Sequence, residues 1–209
     1  MLGLPSTTGV GRRIPKEAFY NHLKVNAALR QSFIDDVERF TIANSIKTST
    51  TGIPDGVDVH EVLVVEVTLK SRKVPEEVLV CVARANPHKL LFVCTHGDEA
   101  CLAAMPERLV VGEWRDAEGL TLSLNAANMD KVWDSLASQV AFGDLGVEGV
   151  TVEERLAKAT KLKALREERD KTEARCRKEC QFTRKNELFR QMRALERQIE
   201  EMERDETAS

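Results

Sequence analysis

The sequence predicts an α+β domain, a mixed sheet flanked by helices, followed by a charged helical hairpin or coiled coil. Three observations carry that prediction. "HEVLVVEVTLK" alternates with period two, as a strand does. "NAANMDKVWDSLASQVAF" sets Met129, Val132, Trp133, Leu136 and Val140 on one face of a helix. Past residue 150 the composition shifts, and residues 151–205 contain no Gly or Pro. The domain is placed at 1–148 and the tail at 149–209.

Taken in order, "LGLPSTTGVGRRIPK" is rich in Gly, Pro, Ser and Thr and is expected to be extended loop. Pro15 suits the first turn of a helix, where its missing N–H is not needed. Ala18, Phe19 and Leu23 then recur at helical spacing. A second helix is expected over 27–40, because Leu29, Phe33, Val37 and Phe40 form one apolar stripe. "FTIANSI" alternates as a strand, and "TSTTGIPDGVD" carries the punctuation of a loop.

The central strand follows, and "PEEVLVCVARA" opens with Pro75 and two acids, a good helix start. "HKLLFVCT" has strand length and "HGDE" is a hairpin turn. "ACLAAMPERLVVGEW" and "LTLSL" supply two or three further strands. The strand–helix–strand step from 59 to 95 reads as a parallel crossover. Helices do not separate every pair of strands, so α+β fits better than a doubly wound sheet.

In the tail, Leu188, Met192, Leu195, Ile199 and Met202 follow a four-three spacing, a heptad seam and the expected interface. Val152, Leu156, Ala159, Leu162 and Leu165 line one side upstream. Between the two runs the stripe thins. Either the chain turns near 178–184, with Thr183 capping a second helix, or one helix of over fifty residues pairs with a second copy. The hairpin is preferred. Both arrangements need a partner surface, because exposed helices draw most of their stability from packing an apolar face.

The net charge of -3 conceals an asymmetry. Residues 1–154 hold 15 Lys+Arg against 22 Asp+Glu, residues 155–193 hold 14 against 6, and residues 194–209 hold 2 against 6. The basic section could follow a phosphate backbone with salt-sensitive, sequence-independent affinity. Its expected contacts are Arg166, Arg169, Arg175, Arg177, Lys178, Arg184 and Lys185. Acids at 167, 168, 170 and 173 interleave, as on an ordinary solvated helix. Aromatic residues are few there, so stacking on single strands is not indicated.

Glu66, Thr68 and Lys70 share one face of the central strand. A common metal-dependent nuclease core needs an acid and a lysine two residues apart on such a strand. Here they are four apart, about 13 Å. No histidine pair has zinc-site spacing among His22, His60, His88 and His96. Cys176 and Cys180 in "CRKEC" read as two seam residues on one helical face. Walker loop, dinucleotide fingerprint, nucleophile elbow and His-Glu-x-x-His helix are all missing. Neither metal nor cofactor is expected. "MLGLPSTTGVGRR" has no apolar leader core, no run reaches membrane-spanning length, and the five scattered cysteines suit a cytoplasmic protein with reduced thiols.

Several stretches together resemble one family: "LGLPSTTGV" with "IPKEAFY", "VTLK", "KLLFV", "EW" at Glu113–Trp114, and "QFTRKNEL". The sequence is similar over nearly its whole length to the bacterial family of unknown function numbered 4391. The residues matched are Pro15, Lys16, Tyr20, Thr68, Lys70, Trp114, Gln181, Phe182, Arg184 and Leu188. Members tend to carry Asn at the place of Thr183 and often Gln at that of Glu66, which argues against Glu66 as a metal ligand. The resemblance implies genes beside helicases and DNA methyltransferases, and so an accessory part in restriction-like or antiphage systems.

Two functions are therefore expected in competition. One is a non-enzymatic adaptor, assembling through its tail with itself or with a helicase or methyltransferase and touching DNA through the basic section. The other is a hydrolase acting on nucleic acid, in which Lys70, Lys16 and an acid, Glu66 or Glu113, converge.

Overall fold

The computed structural model describes residues 2–22 and 25–207, with side chains described for 2–19 and 25–204. Two compact units divide the chain, residues 1–146 and 147–209.

The first unit is built on a seven-stranded mixed sheet. Its strands are β1 (Gly9–Ile14), β2 (Val37–Lys47), β3 (Glu61–Leu69), β4 (Lys89–His96), β5 (Glu99–Ala104), β6 (Val110–Val111) and β7 (Arg115–Asp116). They lie in sequence order from β1 to β6, with β7 also pairing with β5. Only β3 and β4 run parallel, joined through helix α4 (Glu76–Ala85). The remaining helices of this unit are α1 (Lys16–His22), α2 (Ala27–Asp35), α3 (Thr48–Thr51) and α5 (Met129–Ala141).

Strand alternation distributes the core over both faces of this sheet. On one face Val65, Val67, Leu69, Leu90, Phe92 and Cys94 pack with Phe33 of α2 and with Val78, Leu79 and Val82 of α4. Phe19 of α1 packs against this cluster, its ring 4.9 Å from that of Phe40. The opposite face carries Val62, Val64, Leu91, Val93, Leu102 and Ala104, all buried. Helix α5 lies against β4, β5 and β6 and buries Met129, Val132, Trp133, Leu136 and Val140. Asn caps start two helices, Asn26 accepting from the Leu29 N–H and Asn128 from the Lys131 N–H. All five cysteines are free, with Cys94 and Cys101 directly opposite each other on β4 and β5.

The structure departs from the sequence expectations at identifiable places. The N-terminal segment is not simply loop: after a single 3-10 turn at Ser6–Thr8, β1 pairs antiparallel with β2. The second helix ends at Asp35, so Val37 and Phe40 belong to β2. Residues 48–51 form a short helix inside the expected loop. "LTLSL" makes no named strand; it contributes buried Leu120 and Leu122 and an isolated bridge from Thr121 to Leu2. Leu23 and the Tyr20 side chain lie outside the described residues.

The second unit is an antiparallel hairpin of α6 (Val152–Lys178) and α7 (Phe182–Thr207). Thr151 and Glu154 form a reciprocal capping box at the start of α6. Of the two arrangements expected for the tail, the chain adopts the hairpin, and it turns at 179–181. Thr183 is not the cap: α7 has already begun at Phe182. Cys176 and Cys180 do not share a helical face, since α6 ends at Lys178 and Cys180 lies in the exposed turn.

Candidate functional site

The first candidate cluster forms where α2 runs into β2. A helix end leaves carbonyls without intrahelical partners, and cations there are favoured by the helix dipole. Lys70, one residue past β3, donates from Nζ to the Ile34 carbonyl at 2.7 Å, and its backbone N–H donates to the Asp36 carbonyl at 2.9 Å. Lys16, at the start of α1, donates from Nζ to the Val37 carbonyl. Burial and the neighbouring Lys70 ammonium push the Lys16 ammonium below its usual range. Both lysines thus close the α2–β2 junction. Lys70→Ala is expected to cost about 0.5–1 kcal/mol through the lost bond to the Ile34 carbonyl. Thermal unfolding would then fall by roughly 1–4 °C; an unchanged midpoint would show that the bond contributes nothing.

The acids expected to meet these lysines are elsewhere. Glu66 and Thr68 are half-buried near the end of β3, opposite Thr41 and Arg39 of β2. Arg39 reaches the Thr68 hydroxyl at 3.4 Å. Glu113 lies between β6 and β7, beyond β5, about three strand spacings or 14 Å from β3. Its side chain is 86% exposed and pairs with Arg115 at 3.8 Å. Trp114 carries Arg72 over its ring at 5.6 Å, and Arg72 in turn pairs with Glu99 at 2.7 Å. The structure therefore brings Lys16 and Lys70 together and leaves Glu113 apart. Among the described residues, no three of His, Cys, Asp and Glu group as a metal site would require.

The second candidate is the closed end of the hairpin. Antiparallel pairing sets the acidic end of α7 beside the middle of α6, and it splits the basic section in two. Arg166 donates to Glu203 at 2.6 Å across the hairpin. Arg169 pairs with Asp170 at 2.7 Å, and Arg177 with Glu173 at 2.7 Å. Arg175, Lys178, Arg184 and Lys185 are exposed and have no ion-pair partner among the described residues. Between residues 175 and 185 five cations stand against one acid, Glu179. Helix dipoles favour cations at the end of α6 but oppose Arg184 and Lys185 in the first turn of α7. Local helix stability does not account for that half of the cluster.

The expected interface residues turn inward. Leu188 is 9% exposed and Ile199 8% exposed in the single chain, and Met192, Leu195 and Met202 are half-buried. The heptad seam is thus largely covered before any second copy is present. What the seam leaves out is aromatic: Phe182 is 79% exposed and Phe189 46%. From the sequence Phe182 enters only as a residue matched to the family and Phe189 not at all, because aromatics there are counted and not placed on a face. Their separation of seven residues, with cations at 185 and 193, was the available signal.

The chain is thus an α+β sheet domain, in which Lys16 and Lys70 donate to backbone carbonyls, followed by a helical hairpin with a basic end. The chain belongs to the family described as Domain of unknown function (DUF4391), which matches residues 2–199. No curated protein and no solved structure matches it. Among the described residues no helix is long and apolar enough to cross a membrane.

Proposed function

We propose that the protein is a non-enzymatic accessory protein of a bacterial DNA-modification or antiphage system, acting in the cytoplasm. In this reading it binds nucleic acid through the closed end of its hairpin and works beside a DNA-handling enzyme such as a helicase or methyltransferase. The observation that carries it is the concentration of unpaired Arg175, Lys178, Arg184 and Lys185 at that end, where five cations face one acid, while Arg166, Arg169 and Arg177 are each paired to an acid. A polyanion is the partner that such a cluster suits, because each phosphate neutralised releases condensed counterions.

The test is fluorescence anisotropy of the full-length protein with a labelled DNA of about 20 nucleotides, over roughly 50–200 mM salt. Changing the four cations to Ala is expected to weaken binding by at least about a hundredfold. It should also flatten the slope of log affinity against log salt by up to about 3–4 units. Retention of wild-type affinity and slope by that variant would overturn the reading. Incubation of DNA with the wild type and Mg²⁺ or Mn²⁺ tests the non-enzymatic part. Cleavage abolished by Lys70→Ala would replace the accessory role by a hydrolase. The partner is tested by co-expression with a neighbouring helicase or methyltransferase, whose retention should require residues 151–205.

A further inference from the structure

On the second helix of the hairpin, Phe182 and Phe189 stand seven residues apart, two turns along α7 and on the same side of it. At 1.5 Å rise per residue their attachment points are about 10 Å apart along the axis. Both rings are exposed, Phe182 at 79%, although burying a Phe side chain is worth more than almost any other contact the chain could make. The apolar seam of α7 runs along a different line, through Leu188, Met192, Leu195 and Ile199. The rings are therefore not stray members of the seam.

Cations and amides interleave with them. Lys185 follows Phe182 by three residues, Asn186 follows it by four, and Arg193 follows Phe189 by four, so all share the aromatic side. The Arg193 guanidinium sits over the Phe189 ring at 5.4 Å and also meets Glu196 at 3.2 Å. Lys185 has no ion-pair partner among the described residues. The stripe thus reads aromatic, cation, aromatic, cation along one exposed helical line, continuous with the basic end of the hairpin.

From this we infer that the Phe182–Phe189 stripe is a stacking platform for single-stranded nucleic acid, with Lys185 and Arg193 following its phosphates. The inference rests on the nucleic-acid reading above and sharpens it to unpaired strands. A duplex hides its base faces inside the stack and offers the two rings nothing. A single strand offers a π-face at every base, so aromatic side chains stack on it with little regard for sequence. Charge complementarity selects a polyanion over an acidic protein groove, because the cations run alongside rings spaced on the scale of a few nucleotides.

The experiment compares a labelled oligo-dT of about 20 nucleotides with a duplex of the same length, titrated with full-length protein at two salt concentrations. The wild type is expected to bind the single strand several-fold more tightly. The double variant Phe182→Ala/Phe189→Ala should lose about tenfold or more on the single strand, keep its duplex affinity within about twofold, and retain the salt slope. The pair Phe182→Trp/Phe189→Trp should restore the preference, which a merely structural role for the rings would not. An oligo-rU arm separates RNA from DNA, with the alanine loss expected on whichever strand binds.

Equal affinity of the wild type for single strand and duplex would overturn the stacking platform. So would an alanine variant that matches wild type or loses both ligands equally. If duplex binding persists and depends on the four cations, only this inference fails. If neither nucleic acid binds, the broader nucleic-acid reading fails with it.

Discussion

Phe40→Ala is expected to destabilise the first unit by about 3–5 kcal/mol, the range for emptying a fully buried aromatic site. Phe40 is 0% exposed, and its ring lies 4.9 Å from that of Phe19 and 6.0 Å from that of Phe33. Three elements meet at this cluster: α1, α2 and the irregular start of β2, where the pairing with β3 shifts register between Val37 and Arg39. No neighbour can fill the space from one side without leaving a gap on another. A domain of this size is stable by roughly 5–15 kcal/mol, so the loss is a large share of the total. Urea denaturation followed by circular dichroism measures it. A loss under about 1 kcal/mol would mean that these helices do not pack on β2 as described.

The second large effect is expected at a clamp between the loop before β3 and the start of α5. The Asp130 carboxylate accepts from three consecutive backbone N–H groups: Val57 at 2.7 Å, Asp58 at 3.1 Å and Val59 at 2.8 Å. Gly56 lies beneath it, where an added Cβ would come within 2.6 Å of the Val59 carbonyl oxygen. Backbone cannot yield there as a flexible side chain would. Asp130→Ala is expected to cost about 2 kcal/mol, since it removes three bonds to a charged acceptor, two at the exposed surface and the part-buried one from Val59. Gly56→Ala should cost a similar amount by forcing the clamp open. Burial pushes the Asp130 carboxyl upward, but the three N–H donors and His60 outweigh it, and the net shift is downward. A carboxyl whose folded value is depressed stabilises the fold above its unfolded value of 3.8, and the contribution fades as pH drops through the folded value. The stability gap between wild type and Asp130→Asn should therefore be full at pH 5 and narrow below about 3.8. A gap that stays constant down to pH 2 would show that the clamp does not depend on the charge.

Particular elements show how far the sequence could be read. β3 and α5 were legible because each repeats its own period long enough to be unambiguous, and burial on matching faces follows from that repetition. The crossover through α4 was legible because a strand, a capped helix and a strand in that order leave few ways to pack. Residues 37–40 were misread for a physical reason. Leu29, Phe33, Val37 and Phe40 all point into the same core, so a helix running directly into a strand reproduced a helical spacing. β1 had no side-chain signal at all. Its place is decided by backbone hydrogen bonds to β2, and an exposed edge strand needs no apolar alternation.

For the candidate surface, local pattern was sufficient to mark a basic section and a heptad seam, because charge content and spacing are properties of neighbours in the chain. The pairing of Arg166 was decided by the hairpin, since it meets Glu203 only when residues 37 apart are folded side by side, whereas Arg169 and Arg177 pair with neighbours on α6. The same folding covers the seam and leaves Phe182 and Phe189 outside it. Lys16 and Lys70, which looked like candidates for chemistry, become donors to carbonyls of the α2–β2 junction, Val37 at the start of β2 and Ile34 near the end of α2, once separated segments meet. The exposure of a side chain and a pair such as Arg166–Glu203 depend on contacts between distant residues, and no reading of nearest neighbours contains them.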